Sequence, residues 1–229
     1  MTRGLSEPIF CLVTDGRRTR RDPANVDELV ELVRHAAAAG VNLVQVRERN
    51  LDDRHLLGLT RSIVQAVEAT GARVVVNDRV DVALAGGADG VHLRSDSPPA
   101  DAIRAMVPEE FLIGRSVHGE AEAIAAARTG VDYLILGTIF PTASKPAGTP
   151  WLGLEALKRS AREIHLPILA IGGVTADNIG SLAGAGAAGF AAIRLFADLP
   201  READGELDAE LQALMGTVRG AFREGAALR

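Results

Sequence analysis

Gln45-Val46-Arg47-Glu48-Arg49 sets an amide and two guanidiniums on one side of an extended chain, because side chains on a strand alternate with period two. Arg presents forked donors that match phosphate oxygens, so this face suits a diphosphate. Arg47 and Glu48 suit structural ion pairs around a rim equally well. Asn77-Asp78 closes another apolar run. A carboxylate there can hold Mg2+, the rest of the octahedron coming from phosphate and water oxygens. It can also cap the helix that the next residues predict. Ile171-Gly172-Gly173, followed by Val174-Thr175-Ala176-Asp177-Asn178, lets backbone N–H groups approach an anion, and Gly189 to Arg194 supplies the second half of such a site. The segment 138–152 carries Pro141, Thr142, Ser144, Lys145, Pro146, Gly148 and Pro150. Its length predicts a lid that brings Lys145 over a phosphate, or a merely solvated loop. The run Arg17-Arg18-Thr19-Arg20-Arg21 reads first as a solvated face, although its position after the first strand would put it beside a ligand.

These residues need a scaffold that gathers them. Short β-branched runs at 9–14, 43–47, 73–77, 90–93, 111–116, 133–137, 168–171 and 189–193 alternate with Ala/Leu-rich stretches at helical spacing. The runs are continuously apolar, as parallel strands covered on both faces must be. Helices are expected at 26–39, 54–69, 120–129, 154–163 and 178–185, and a last amphipathic one at 207–222. Gly40, Gly71, Gly130 and Gly186 stand where left-handed caps end such helices. Eight β/α units in 229 residues predict an α/β protein, a single (β/α)8 barrel spanning 1–229, with its active site at the C-terminal ends of the strands. A doubly wound sheet fits less well, because Thr14-Asp15-Gly16-Arg17-Arg18 is no dinucleotide turn. The strand ends then collect Gln45, Arg47, Arg49, Asn77, Asp78, His92, Arg94, Asp96, Ser116, His118, Thr138, Thr142, Ser144, Lys145, Gly173 and Arg194.

Composition removes other classes. Six Phe, one Tyr and one Trp leave little for a base-stacking platform, and a net charge of −5 opposes a general grip on nucleic-acid backbones. The lone Cys11 excludes a disulfide framework and a thiolate zinc cluster, and its apolar neighbours predict a buried core residue. His35, His55 and His165 fall in or beside helices, without metal-ligand spacing. The first eight residues lack the apolar core of a secretory signal and no stretch is long enough to cross a bilayer, so a cytoplasmic protein without membrane partners is expected, homo-oligomer or not.

Taken in order, the motifs resemble the thiamin phosphate synthase/TenI superfamily of (β/α)8 barrels. The resemblance runs from about Ile9 to Phe196. It rests on Gln45-Val46-Arg47-Glu48-Arg49, Val76-Asn77-Asp78-Arg79-Val80-Asp81, Ala88-Asp89-Gly90-Val91-His92-Leu93, Gly114-Arg115-Ser116-Val117-His118, Asp132-Tyr133, Phe140-Pro141-Thr142-Ala143-Ser144-Lys145 and Ala170-Ile171-Gly172-Gly173-Val174-Thr175. It implies a transferase that couples hydroxymethylpyrimidine diphosphate to a thiazole phosphate with Mg2+, releasing diphosphate. Loss of diphosphate gives a carbocation-like pyrimidine that the thiazole nitrogen captures. By the same resemblance Gln45, Arg47, Arg49, Asn77 and Lys145 hold the pyrimidine diphosphate and Ser116 lies near the pyrimidine. Arg47, Lys145 and Ser116 are the catalytic candidates, Asp78 and Asp96 the Mg2+ ligands. Thr142, Ser144, Gly173, Ile193 and Arg194 match positions that bind the thiazole phosphate.

The chain departs from the synthase pattern at three points. Arg49 replaces a Lys, Arg194 replaces a Ser, and Ser97 stands where a second metal carboxylate is usual, with Asp96 one place early. Glu48-Arg49, Gly114-Arg115-Ser116-Val117-His118 and Leu93-x-Ser95-x-Ser97 look more like the TenI branch, whose characterised members tautomerise thiazole phosphates. That chemistry uses a His where this chain has Thr138. A tautomerase whose proton shuttle has moved to His118 or His92, and a non-catalytic thiazole or thiamin phosphate-binding paralogue, are the alternatives.

Overall fold

Eight parallel strands close on themselves in sequence order: β1 (Ile9–Val13), β2 (Leu43–Val46), β3 (Arg73–Asn77), β4 (Gly90–Leu93), β5 (Leu112–Val117), β6 (Tyr133–Gly137), β7 (Ile168–Ile171) and β8 (Gly189–Ala192), with β8 pairing back onto β1. The structure is a computed structural model and describes residues 5–16, 25–142, 145–146, 148–199 and 204–228. Helices follow the strands: α1 (Asn25–Ala38), α2 (Asp53–Val67), α3 (Val80–Gly86), α4 (Ala100–Arg104), α5 (Glu120–Ala126), α6 (Gly153–Glu163), α7 (Ile179–Gly184), α8 (Arg194–Ala197) and α9 (Asp204–Ala226). Among the described residues no helix is long and apolar enough to cross a membrane.

Alternation along each strand divides the core in two. Ile9, Cys11, Val13, Leu43, Val75, Leu112, Tyr133, Ile135, Leu169 and Ala191 fill the barrel interior. Phe10, Leu12, Val44, Val46, Val74, Val76, Leu134 and Leu136 face outward and pack against the helices. Cys11 is fully buried, and burial pushes its thiol pKa far above the ordinary value, as befits a packing residue. The same alternation turns Gln45, Asn77, His92 and Ser116 inward near the strand C-termini.

The N-terminal end of the barrel is closed by one device used three times. Asn42, Asp89 and Asp132 each stand just before a strand. Each backbone N–H donates to the neighbouring strand, at Phe10, Val74 and Ile113, over 3.2, 2.8 and 2.8 Å. Each side chain then accepts the N–H of that same residue, at 2.8, 2.7 and 2.7 Å. Arg73 also pairs with Asp89, and Arg104 with Asp132, both at 2.5 Å. The Asp89 and Asp132 side chains of these motifs are therefore scaffold, since they lie at the end of the barrel remote from the loops that carry chemistry.

Candidate active site

Gln45, the inward residue of β2, is buried, and its Nε2 donates to Asn77 Oδ1 at 3.1 Å across to β3. Arg47 follows as the chain leaves β2, its N–H donating to Thr14 Oγ1 at 2.8 Å. Its guanidinium is half-buried and makes no hydrogen bond among the described residues. Burial, and next the charge of Arg49, lower its pKa, while Asp15 and Glu48 act the other way. A cation partly out of water and facing a second cation gains from an incoming anion. Glu48 instead serves structure: it is buried and accepts from the Gly16 N–H at 3.1 Å. The structural reading of this segment thus fits Glu48, and the ligand-facing reading fits Arg47.

Asp78 leaves β3 with φ of 61°. The residue that precedes α3 is Arg79, which makes no side-chain cap, so the alternative of Asp78 as a helix cap is not realised. Its Oδ1 accepts from the Ser97 hydroxyl, and its Oδ2 lies 3.7 Å from Arg94 Nη1. The other end of the same guanidinium holds Asp96. Both expected metal ligands therefore converge on one cationic group. The loop that carries Asp96 and Ser97 is itself pinned by Arg115, which donates to the carbonyls of Ser95, Ser97 and Pro98 at 2.9, 2.8 and 3.0 Å. Arg115 points out of the barrel, where only such a scaffolding role is open to it.

Ser116 closes the inward row of β5. Its Oγ lies 2.9 Å from His92 Nε2, and His92 Nδ1 lies 3.1 Å from the Tyr133 hydroxyl. His92 and Tyr133 are buried. Burial, with Arg47's charge second, pulls the His92 pKa down to about 3. A proton shuttle near neutrality is therefore not available from His92. His118 directly follows β5, with Nδ1 3.0 Å from the carbonyl of Gly137 at the end of β6.

The loops after β6 and β7 run side by side. The Ile139 and Phe140 N–H groups donate to the Ile171 and Gly172 carbonyls at 2.9 and 3.1 Å, extending the sheet past its last paired strand residues. A Cβ on Gly173 would lie 2.5 Å from the Pro141 carbonyl oxygen, so only glycine allows this approach. Asn178 staples the β7 loop, donating to the Gly173 carbonyl at 2.8 Å and accepting from the Thr175 N–H at 3.0 Å. Thr142 follows half-buried, the Lys145 N–H donates to its carbonyl at 3.3 Å, and Lys145 is exposed. The far end of the loop returns to β6, the Leu152 N–H donating to the Thr138 carbonyl at 2.8 Å.

Gln45 with Asn77, Arg47 beside Arg49, Asp78 with Asp96 through Arg94, and Lys145 with Thr142 are thus brought together in groups at one end of the barrel, with Gly173 against Phe140 and Pro141. Ile193 is half-buried just after β8. Arg194 is turned to Asp198 at 2.9 Å, a pairing the i,i+4 spacing on α8 provides. Ser144 and the run 17–21 lie outside the described residues. Tyr133, Thr14, Arg115 and Asn178 were not singled out individually for this site. Period-two alternation turns Tyr133 into the barrel interior.

Residues 10–196 match the model of the family described as thiamine monophosphate synthase. The chain belongs to that family. It is 40% identical to a thiamine-phosphate synthase of Methanoculleus marisnigri over 195 residues, 85% of this chain and 90% of that one. A thiamine-phosphate synthase of Chlorobium luteolum is 38% identical over 212 residues, covering 93% and 95%. Among solved structures, a thiamine phosphate pyrophosphorylase from Pyrococcus furiosus superposes with a TM-score of 0.76 at 29% identity, over 97% of this chain and 98% of that one. A 3-hexulose-6-phosphate synthase at 16% identity and a TM-score of 0.68 shares the barrel alone.

Proposed function

We propose that the C-terminal mouth of this barrel joins hydroxymethylpyrimidine diphosphate to a thiazole phosphate, releasing diphosphate. The observation that carries the reading is the Arg47 guanidinium, half out of water, beside a second cation and without a hydrogen-bonded partner among the described residues, in a chain of the thiamine monophosphate synthase family. Departure of diphosphate moves negative charge onto the leaving oxygens, and fixed cations aimed at that charge lower the barrier. Arg47 and Arg49 hold the diphosphate from the β2 side, and Lys145 reaches it from the loop after β6. The Gln45–Asn77 pair places a fixed amide dipole on the same wall. Ser116 orients the pyrimidine ring. Thr142 and Ser144, with the Gly173 backbone and the residues Ile193 and Arg194, take the thiazole phosphate. For Arg194 this means exchanging Asp198 for the phosphate.

The donor set suits a hard divalent cation. Asp78 and Asp96 offer oxygens and already share one cationic partner in Arg94. Among the described residues no cluster of three or more His, Cys, Asp or Glu could hold a metal ion, so two carboxylates with phosphate and water oxygens is the arrangement to expect. Bound there, Mg2+ would neutralise diphosphate charge as the bond breaks. A phosphate-binding mouth and a cytoplasmic location belong to the same proposal. Nothing favours the tautomerase alternative: Thr138 offers no side-chain base at its key position, and burial pulls the His92 pKa well down.

The test is direct. Purified protein with both substrates and Mg2+ is expected to yield thiamin phosphate and diphosphate in equal amounts. No product, under conditions in which a control synthase forms it, would overturn the reading.

A further inference from the structure

His92, Gly114 and Tyr133 lie level with one another on three adjacent strands, in register across β4, β5 and β6. A Cβ on Gly114 would lie 2.1 Å from Tyr133 Cζ. The missing side chain is what lets the tyrosine ring cross β5 and bring its hydroxyl to His92. The two rings lie 5.6 Å apart, in a tilted stack inside the closed barrel.

The hydroxyl proton of a fully buried tyrosine has to be given to an acceptor. Among the described residues the group within reach is His92 Nδ1, at 3.1 Å. Nδ1 must then be unprotonated, and a neutral imidazole carries its proton on Nε2. Nε2–H donates to Ser116 Oγ, 2.9 Å away. Ser116 thereby has its acceptor side filled from below, and its own proton is free to point out of the strand end. The opposite tautomer would give Nδ1–H to the tyrosine oxygen and strand the tyrosine proton in an apolar interior.

We propose that Tyr133 and His92 are positioning residues that orient the Ser116 hydroxyl as a donor, so that the atom it meets in the substrate is an acceptor such as a heteroaromatic ring nitrogen. The tautomer follows from the protein alone. The ligand half rests on the function proposed above.

The tautomer is read by long-range proton–nitrogen NMR on protein labelled with 15N-histidine at pH 7.5, with His92 assigned from a His92→Gln spectrum. The expected result is one neutral species protonated on Nε2, giving way in Tyr133→Phe to a mixture. A proton on Nδ1 in the unaltered protein overturns the proposal. Steady-state kinetics test the ligand half. Tyr133→Phe should lower kcat/KM about tenfold in the parent chain and less than twofold when Ser116→Ala is already present. Equal losses in the two backgrounds would show a role in packing alone and overturn it. His92→Gln, which can accept from tyrosine and donate to serine, should retain more activity than His92→Phe. Absence of turnover by the parent chain would count against the synthase reading, while the NMR result on the unaltered protein would still decide the tautomer.

Discussion

At the N-terminal end of the barrel Asp132 accepts from both the Ile113 N–H and Arg104, and Asp89 repeats the pattern with Val74 and Arg73. At the C-terminal end Arg47 is half-buried beside Arg49 and has no hydrogen-bonded partner among the described residues. Both ends are rich in charge; Asp89 and Asp132 at one end are satisfied within the chain, as are Arg94 and Arg194 at the other, whereas Arg47 stands apart. The sheet explains the division of labour. Residues just before a strand can bond sideways to a fixed neighbour, whereas residues just after it open into loops that can be shaped around a substrate.

That contrast can be broken from either end. Removing Arg47 should cost most: Arg47→Ala is expected to lower kcat/KM about 10²- to 10³-fold, the usual scale for one donor to developing charge. Its melting temperature should stay level or rise, because a desolvated cation facing a like charge is lost. Asp132→Ala should do the reverse. It strands the Ile113 N–H and takes the carboxylate from Arg104, so chemical denaturation should show a loss of about 2–4 kcal/mol. The activity of the folded fraction should persist. Comparable activity losses in the two variants would erase the distinction between the ends.

His92 sharpens the comparison, since it is polar, near the mouth, and yet satisfied from both sides. Its folded pKa of about 3 lies below the ordinary 6.5, so between these values the unfolded chain binds the extra proton. The stability it contributes is whole above pH 6.5 and drains away as pH falls toward 3. His92→Gln should therefore lose less stability than the parent chain between pH 7 and pH 4, by up to about 3 kcal/mol, read from denaturation at each pH. Identical pH profiles would deny that His92 is buried neutral.

Much of this was legible in the sequence because burial on both faces leaves a plain mark. The bounds of β3, β4, β6 and β7 follow directly from the apolar runs, and the left-handed caps at Gly40, Gly71, Gly130 and Gly186 are all at positive φ. The short helices α4 and α8 left no such mark, since five and four residues show no helical period. The site was legible as a set of strand ends but not as a set of bonds. Which cation Asp78 faces depends on how the loop after β4 folds, and Arg115, an outward residue of the next strand, decides that. Arg194 reads as a phosphate donor from its place after β8, whereas the one-turn helix it begins brings Asp198 within reach. The partnership of Tyr133 with His92 depends on an absent side chain at Gly114, a signal carried by what a residue lacks.

The smallest effect belongs to Asn178, which joins the two themes by using a satisfied side chain to shape a ligand loop. Asn178→Ala should cost about 1 kcal/mol in stability. It should also raise KM for the thiazole phosphate a few-fold with kcat little changed. An unchanged KM would separate the staple from the phosphate loop.

If Arg47, half-buried beside Arg49 at the C-terminal mouth, awaits a diphosphate, then pyrophosphate should bind there. Calorimetric titration of inorganic pyrophosphate in the presence of Mg2+ tests it, with the parent chain, Arg47→Ala and Asp132→Ala all held under conditions where each is folded. The prediction is saturable binding by the parent chain, affinity kept in Asp132→Ala, and a loss of at least about tenfold, roughly the 1.4 kcal/mol of one charge-assisted contact, in Arg47→Ala. Binding by Arg47→Ala as tight as that of the parent chain would contradict it.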